Sequence, residues 1–518
     1  MNEKETGSFY TPDNLIKFMV SYVKNRITPC SVLEPSAGDG RFVKYIEKLS
    51  KDITLVEFDI NKISNLKKDY EKTCKVVCSD FISFSLKENI KYDLIIGNPP
   101  YIAKKSVLQE QYQNSIKIAE HFNLDKSIIQ NLWVSFVLSS IKMLSDTGAI
   151  FFVLPFEFLQ VQYAEKLRNF LETKFNTIEI VTFEERIFED IEQDVCLVYL
   201  TNEAKGKPYI KYCTYKNAST KEKNFESVIM RNKPLKKWSN CILNDEETEQ
   251  LKVLSEKYSK INSYGEISPG IVTGANSFFI ISESVADNMN LPQTNLLPII
   301  TKSSVIPWLL RFKKEDFDNL CGDKNNTHLL SLAGLKKESF SEELNLYIKN
   351  GEKEKVNEGY KCSHRKRWYD VPIVKSGEVC FFKRYHFIPR VIINQEKIHT
   401  TDIIYNIRFY PQYDSESFAF CFYNSLTLAL CEYNGRFYGG GVGELVPSEF
   451  KSVVIPYKKI RKQSINKLDR LFRDQTSIEK IIDYVDSIVL SDLPEKERQL
   501  LRSIRKRYLD RRLKNLQK

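Results

Sequence analysis

Short apolar runs alternate with amphipathic segments along the first 200 residues of the chain. The runs begin near residues 31, 53, 75 and 92, and each has the continuous apolar character of a strand buried on both faces of a sheet. Between them apolar side chains recur at helical spacing, as at Phe42, Tyr45, Ile46 and Leu49. This alternation predicts an α/β fold built on a doubly wound, mainly parallel sheet.

The pattern changes after residue 200. Short strand signals separated by aromatic and glycine-rich loops then indicate a second domain of mixed α+β character. From Ile460 onwards the sequence reads as helical, and from Arg498 it carries nine cations against one acid. A chain of 518 residues is too long for one domain. We therefore predict three segments, at 1–240, 241–460 and 461–518.

The most informative motif follows the fourth apolar run, where Asn98-Pro99-Pro100-Tyr101 begins a turn. Two prolines end the strand and fix the backbone at the carboxyl end of the sheet, where open α/β sheets bind their ligands. An amide oxygen and the Pro99 carbonyl can accept both hydrogens of an NH2 group, and Tyr101 can stack on a planar ring. A plain Asn-Pro turn is the alternative, but the complete motif favours a site that grips an aromatic amine.

A glycine turn follows the first apolar run, at Gly38 and Gly40. The two glycines allow the backbone to approach a ligand closely, and the acidic Glu34 before the turn suits an amine-bearing ligand better than a phosphate. Later strand ends add Glu57, which suits ribose hydroxyls, and Asp80 with Phe81, which suit an adenine amine and ring. Each carboxylate could instead cap a helix, but acceptors at successive strand ends point to one binding site.

Tyr10-Thr11-Pro12 precedes the glycine turn, and Asn-Pro-Pro-Tyr follows it. This order resembles the gamma group of DNA adenine-N6 methyltransferases, enzymes of type II restriction-modification systems that use S-adenosylmethionine. The resemblance implies a Rossmann-like methyltransferase sheet in the catalytic domain at 1–240, a DNA target-recognition domain at 241–460 and a basic helical segment at 461–518. It covers roughly residues 7–200 closely and the later residues only in scattered blocks.

The resemblance also implies roles for individual residues. An aromatic ring should face the catalytic turn from a loop before a strand; we assign Phe188 to this position, with Phe183 in reserve. The predicted catalytic residues are Asn98, Pro99, Pro100, Tyr101 and Phe188. The predicted S-adenosylmethionine-binding residues are Tyr10, Thr11, Pro12, Glu34, Pro35, Ser36, Ala37, Gly38, Gly40, Glu57, Asp80, Phe81 and Asn98.

Charge is unevenly distributed along the chain. Residues 1–200 hold 24 Lys and Arg against 28 Asp and Glu, whereas residues 201–518 hold 53 against 39. A basic second half is typical of a protein that binds a phosphate backbone, so double-stranded DNA is the predicted partner. Clusters of cations and aromatics offer phosphate and base contacts together. The predicted DNA-binding residues are Arg365, Arg367, Trp368, Lys383, Arg384, Tyr385, Arg436 and Tyr438.

Several expectations concern the setting of the protein. No apolar run approaches the roughly 20 residues of a membrane span, and the first residues lack the apolar core of a signal peptide. We expect a cytoplasmic monomer without metal, with scattered reduced cysteines, that protects DNA from a cognate restriction endonuclease. RNA adenine methylation, protein-glutamine methylation and an inactive DNA-binding subunit are the alternatives. The same catalytic groups would also treat cytosine N4, and the sequence leaves the recognition site open.

Overall fold

A computed structural model describes residues 10–188, 194–203, 206–220, 222–231, 234–322 and 325–514. The chain divides into two compact units. The first contains the described residues of 10–248, 437–441 and 510–514, and the second contains Glu249–Arg436 and Val442–Leu509. Residues 7–9, which precede the Thr-Pro segment, lie outside the described part of the chain.

The described strands of the first unit form a nine-stranded sheet in the order β3-β2-β1-β4-β5-β7-β6-β8-β9. Strands β1 to β5 are parallel, and β7 runs antiparallel to both β5 and β6. The strand order reverses at β1, because β2 and β3 lie on one side of it and β4 and β5 on the other. The carboxyl ends of β1 and β4 therefore flank the position where open sheets bind ligands. The strands are β1 Ser31–Glu34, β2 Asp52–Glu57, β3 Lys75–Cys78, β4 Tyr92–Gly97, β5 Leu144–Pro155, β6 Thr177–Phe183, β7 Val195–Thr201, β8 Tyr209–Tyr215 and β9 Lys223–Met230.

Helices connect these strands because each crossover in a parallel sheet needs a segment that can return along its face. The first helix illustrates the amphipathic pattern, since Leu15, Ile16, Met19 and Val23 are fully buried in the core on one face of the sheet. The helices of this unit are α1 Asp13–Lys24, α2 Val43–Ile46, α3 Ile60–Tyr70, α4 Phe81–Lys87, α5 Gln109–His121, α6 Leu132–Met143 and α7 Glu165–Lys174. The predicted doubly wound α/β sheet is confirmed.

The second unit has small sheets of mixed direction. The larger two have the strand orders β11-β20-β16-β18-β14 and β12-β15-β13-β19, and β17 pairs with β22. The remaining strands are β10 Ser259–Lys260, β11 Gly265–Pro269, β12 Ile280–Ile281, β13 Leu296–Ile300, β14 Arg311–Phe312, β15 His328–Leu330, β16 Val379–Phe382, β17 Arg384–Tyr385, β18 Arg390–Asn394, β19 His399–Thr400, β20 Ile404–Phe409, β21 Arg436–Phe437, β22 Gly443–Glu444 and β23 Val454–Ile455.

Helices accompany these sheets and dominate the end of the chain, as the sequence predicts. They are α8 Asp245–Glu256, α9 Asn276–Phe279, α10 Glu283–Asn288, α11 Lys314–Gly322, α12 Glu342–Lys353, α13 Tyr360–Ser363, α14 Ser415–Phe422, α15 Ser425–Asn434, α16 Pro447–Ser452, α17 Lys462–Arg473, α18 Ile478–Val489 and α19 Glu495–Leu513. Within the described ranges, no helix is long and apolar enough to cross a membrane.

Candidate active site

The glycine turn after β1 is held by the carboxylate of Glu57. One oxygen of Glu57 accepts a hydrogen bond from the Gly38 amide at 2.8 Å, and the other accepts from the Phe58 and Asp59 amides at 2.9 and 2.8 Å. Gly38 and Gly40 have φ angles of +59° and +79°, which residues with a Cβ rarely adopt. The acid at the end of β2 therefore shapes the turn, and Oε2, which accepts one hydrogen bond, retains acceptor capacity for a ligand.

We predict that Glu57→Ala weakens S-adenosylmethionine binding by about 1–3 kcal/mol, because a charged acceptor is lost and three amides lose their partner. Asp80→Ala should weaken binding by a similar amount of about 1–3 kcal/mol, because each of its oxygens accepts one hydrogen bond in the structure and keeps acceptor capacity for the cofactor. Titration calorimetry measures both, and exposed Asp69→Ala is the control. An unchanged affinity in both variants would remove these acids from the cofactor site.

Glu34 supplies a buried carboxylate at the end of β1. Its side chain is 1% exposed, and Oε2 has no hydrogen-bond partner among the described residues. Burial raises the pKa of Glu34 well above its usual range, and the nearby Glu57 and Asp39 raise it further. A cationic ligand would stabilise the ionised form of this carboxyl. The unsatisfied oxygen therefore fits a cofactor that carries an ammonium group and a sulfonium.

The Asn-Pro-Pro-Tyr turn is fixed at both ends. The Ser36 hydroxyl donates to the backbone carbonyl of Asn98 at 3.0 Å, which joins this turn to the glycine turn. The Tyr101 hydroxyl donates to the Val153 carbonyl of β5 at 3.0 Å, and burial raises the Tyr101 pKa well above its usual range. Pro99 is buried and Asn98 is half-buried. The structure thus brings the predicted catalytic turn and the predicted cofactor turn together at adjacent strands.

The Thr-Pro segment lies beside the glycine turn. The Arg41 guanidinium lies 4.7 Å from the centre of the Tyr10 ring and pairs with Asp39 at 2.7 Å. Thr11 is buried, and the Pro12 carbonyl accepts the first hydrogen bond of α1. Tyr10 therefore lies beside the glycine turn through Arg41, and the contact of this segment with the cofactor stays a prediction.

Asp80 and Phe81, which the sequence analysis assigns to the adenine of the cofactor, make contacts within the protein. Asp80 caps α4 by accepting from the Ser83 amide at 2.9 Å, and its other oxygen accepts from Gln111 at 3.1 Å. Phe81 is 1% exposed, with its ring 5.2 Å from that of Phe136, so this ring is part of the core. Its predicted contact with the adenine ring would require a rearrangement.

Phe58 is an aromatic that the sequence interpretation missed. It follows Glu57 directly and is 54% exposed at the carboxyl end of β2, with Ile60 also exposed nearby. A large apolar side chain exposed beside a binding turn is a natural stacking platform. The available signal was its position immediately after the acidic strand end, the same position relative to Asp80 that led to the choice of Phe81.

Phe188, the predicted second stacking ring, lies in the loop between β6 and β7. Its side chain is 7% exposed and belongs to the core cluster against which Tyr101 packs. The reserve candidate Phe183 is fully buried, and its ring meets Phe18 edge-on at 5.3 Å. Phe188 remains the better candidate, while Phe183 has a packing role. Residues 189–193 of this loop lie outside the described residues.

The first predicted DNA-binding cluster is largely engaged within the protein. Arg365 donates to the Val272 and Thr273 carbonyls at 2.9 and 2.7 Å. Arg367 forms a bidentate ion pair with Asp370 at 2.7 and 2.9 Å. Trp368 packs on Phe278 with ring centres 5.2 Å apart, and its indole donates to Glu352 at 3.2 Å. These three side chains therefore stabilise the structure around residues 365–368.

The other predicted DNA-binding residues fall into two groups, those that are paired or buried within the protein and those that are exposed. Lys383 pairs with Glu444 at 2.6 Å, Arg436 pairs with Glu449 at 2.7 Å, and Tyr385 is buried. The Arg384 side chain is 58% exposed and lies 3.7 Å from Glu444, and Tyr438 is 39% exposed. Arg384 and Tyr438 are therefore the members of the prediction that are placed to reach a partner directly.

We predict that Arg365→Ala lowers the free energy of unfolding by about 1–3 kcal/mol, because two carbonyls lose a charged donor. Its neighbour Lys366 is exposed, so Lys366→Ala should leave stability unchanged and weaken DNA binding with a smaller salt dependence. Thermal unfolding and DNA titrations at several salt concentrations separate the two effects. The assignment fails if Arg365→Ala keeps full stability but loses DNA binding.

Comparison with known proteins finds two family models that match this chain. Residues 27–188 match the family model described as Eco57I restriction-modification methylase, and residues 235–490 match that of the type II methyltransferase M.Eco57I C-terminal domain. The chain belongs to the type II restriction-modification methyltransferases. It is thus a DNA methyltransferase, and S-adenosylmethionine is the methyl donor for such a methylase.

Full-length relatives support the same family. The type II methyltransferase M.AccI of Acinetobacter calcoaceticus is 24% identical over 538 residues, covering 96% of this chain and 95% of the relative. M.XamI of Xanthomonas campestris pv. amaranthicola is 19% identical, with 87% and 85% covered. The structure of the type IIL restriction-modification enzyme MmeI in complex with DNA is 12% identical with a TM-score of 0.56, covering 96% of this chain and 75% of that one, which shows a shared fold.

Proposed function

We propose that this type II methyltransferase methylates N6 of an adenine within a specific sequence of double-stranded DNA. The observation that carries the proposal is the Asn-Pro-Pro-Tyr turn at the end of β4, held against the glycine turn by Ser36 and against β5 by Tyr101. The order of the blocks, from the Thr-Pro segment to this turn, resembles adenine-specific members. By protecting its site, the enzyme would act beside a cognate restriction endonuclease.

The proposed pocket must receive an extruded base, because N6 is paired and stacked inside a duplex. Tyr101 would form one face of the pocket and Phe188 the other. A Tyr101 hydroxyl that already donates to the Val153 carbonyl holds its ring in one orientation before the base arrives. A ring fixed in advance loses little conformational entropy on binding, so little of the free energy of stacking is offset when the base binds.

Asn98 and Pro99 would then orient the reacting nitrogen. The N6 lone pair is delocalised into the adenine ring and is a poor nucleophile. When the Asn98 side chain and the Pro99 carbonyl accept the two amine hydrogens, they favour a pyramidal nitrogen whose lone pair is aimed at the methyl group of the cofactor. Bound S-adenosylmethionine supplies an activated methyl group on a sulfonium. Positioning by these two acceptors would provide most of the rate enhancement.

Residues of the glycine turn would hold the cofactor. Glu34 would face its positive groups, Glu57 and the Gly38–Gly40 backbone would contact the ribose region, and exposed Phe58 would stack on the adenine ring. Asp80 would accept from the adenine amine with its remaining acceptor capacity. These assignments use side chains that lie at or just after the carboxyl ends of β1, β2 and β3.

The experiment incubates purified protein with S-adenosylmethionine and genomic DNA, then identifies the methylated nucleoside by mass spectrometry. N6-methyladenine confirms the proposal, and N4-methylcytosine contradicts the choice of base. Parallel reactions with RNA and with a protein extract test the other substrate classes. Methylation of either in place of DNA would contradict the proposed substrate.

A further inference from the structure

The loop that carries Phe188 is bridged at its base by one ammonium group. Residues 184–194 connect β6, which ends at Phe183, to β7, which begins at Val195. Lys514 Nζ donates to the Phe183 carbonyl at 2.8 Å and to Asp194 Oδ1 at 2.7 Å. The two ends of the loop are therefore linked by a residue more than 300 positions away in sequence.

Arg511 joins the same site from one turn earlier in α19. Its Nη2 lies 2.5 Å from Asp194 Oδ2, and its guanidinium lies 4.3 Å from the centre of the Phe156 ring. The Phe156 amide donates to the Asp194 carbonyl at 2.9 Å. Phe156 directly follows β5, the strand whose Val153 carbonyl fixes Tyr101. The cations therefore connect the Phe188 loop to the strand that orients the other stacking ring.

The cations are buried, although the sequence analysis assigns them to a basic helical segment of a chain predicted to bind DNA. The side chains of Arg511, Lys514 and Asp194 are 5%, 7% and 12% exposed. Burial alone would raise the pKa of Asp194, but Arg511 and Lys514 hold it below its usual range. Removing one partner of such a buried pair strongly destabilises a protein, because the other charge is left buried without compensation.

We propose that Lys514 and Arg511 are positioning residues that hold the base of the Phe188 loop closed, so that the ring faces the catalytic turn. We call the contacts of these two cations with Asp194 and the Phe183 carbonyl the clamp. The proposal rests on the proposed function, because the clamp matters for catalysis only if the Phe188 ring receives the base. Neither cation contacts the reacting atoms in this assignment. They act through Asp194 and the Phe183 carbonyl, which are the two ends of the loop.

The clamp predicts a specific kinetic pattern. Lys514→Met should lower the single-turnover rate of methyl transfer by about tenfold, as expected for a lost charge-assisted contact. Lys514→Arg should retain most of the rate, because it keeps a charged donor. Lys506→Met on the exposed face of α19 is the control and should match the wild type. Affinity for S-adenosylmethionine should be unchanged in all three variants.

The pH profile provides a readout that general destabilisation would not reproduce. Burial and the neighbouring Arg511 lower the pKa of Lys514 to about 8, against the attraction of Asp194. Arg186 also opposes its charge, and the Cys196 thiol lies in the same surroundings. Lys514 therefore loses its charge as the pH rises through about 8. The wild-type rate should fall over that range, whereas Lys514→Arg should show no fall there.

Phe188→Ala distinguishes failure of the clamp from failure of the proposed function. If Phe188→Ala loses activity while Lys514→Met equals the Lys506→Met control, the clamp is wrong and the pocket stands. If Phe188→Ala is fully active, the proposed role of the ring is wrong. Should Lys514→Met fail to fold, the comparison of pH profiles between wild type and Lys514→Arg decides, and identical profiles overturn the proposal.

Discussion

Replacing Asn98 with alanine is expected to reduce the rate of methyl transfer by at least about 100-fold, the cost of removing one preorganised acceptor from an active site. Cofactor binding should remain nearly intact, because the Ser36 hydroxyl bonds to the Asn98 backbone and not to its side chain. Single-turnover assays measure the rate, and calorimetry measures the affinity for S-adenosylmethionine.

Asn98→Asp is the matched control for this variant, since it keeps an acceptor oxygen at the same position. It should be more active than Asn98→Ala, and the gap between them measures the acceptor's contribution. Asn61→Ala, an exposed amide on α3, should behave as the wild type. An Asn98→Ala rate within a few-fold of the wild type would remove Asn98 from the mechanism.

Exchanging the second unit for that of a relative with different specificity is expected to change the methylated sequence completely. The basic excess lies after residue 200, and 235–490 matches a separate C-terminal family model. The graft should replace Glu249–Arg436 and Val442–Leu509 while keeping residues 437–441 and the segment from 510, which belong to the first unit. Sequencing of methylated DNA identifies the motif before and after the exchange.

The DNA affinity of the grafted protein should depend on salt concentration and on the DNA sequence, as expected of a sequence-specific DNA-binding protein. It should fall steeply with salt because phosphate contacts release counterions. Single mismatches in the new motif should cost about 1–3 kcal/mol each. A graft that still methylates the original motif would show that recognition resides in the first unit.

The sequence predicted the strand ends well because the signals are local. An apolar run followed by a glycine or proline turn identifies where β1 and β4 end, and the parallel topology brings those ends together. The glycine turn and Asn98 were therefore found without a structure. Sequence could not reveal that Glu57 accepts from the Gly38 amide, since this contact depends on how two turns approach each other.

The solvent exposure of individual side chains could not be predicted from the sequence. Phe58 and Phe81 each follow an acidic residue at a strand end, yet Phe58 is 54% exposed and Phe81 is buried. The difference arises because Phe81 begins α4 and packs against Phe136 of α6. Likewise Arg365 binds backbone carbonyls while the adjacent Lys366 is exposed, although both carry the charge that suggested a DNA contact.

Long-range ion pairs were equally invisible. Nothing in the pattern of basic residues after Arg498 distinguishes Arg511 and Lys514 from the exposed Lys506. Their roles depend on Asp194, which is distant in sequence and reaches them only through the fold. The basic composition favoured a DNA-binding interpretation for cations that the protein uses internally.

Single-molecule sequencing of DNA from cells that express this chain tests the central claim most directly. The account predicts N6-methyladenine at one defined sequence motif throughout the genome, and none at that motif in cells that express Asn98→Ala. Modified cytosine at the motif, or DNA without a modification that depends on Asn98, would contradict it.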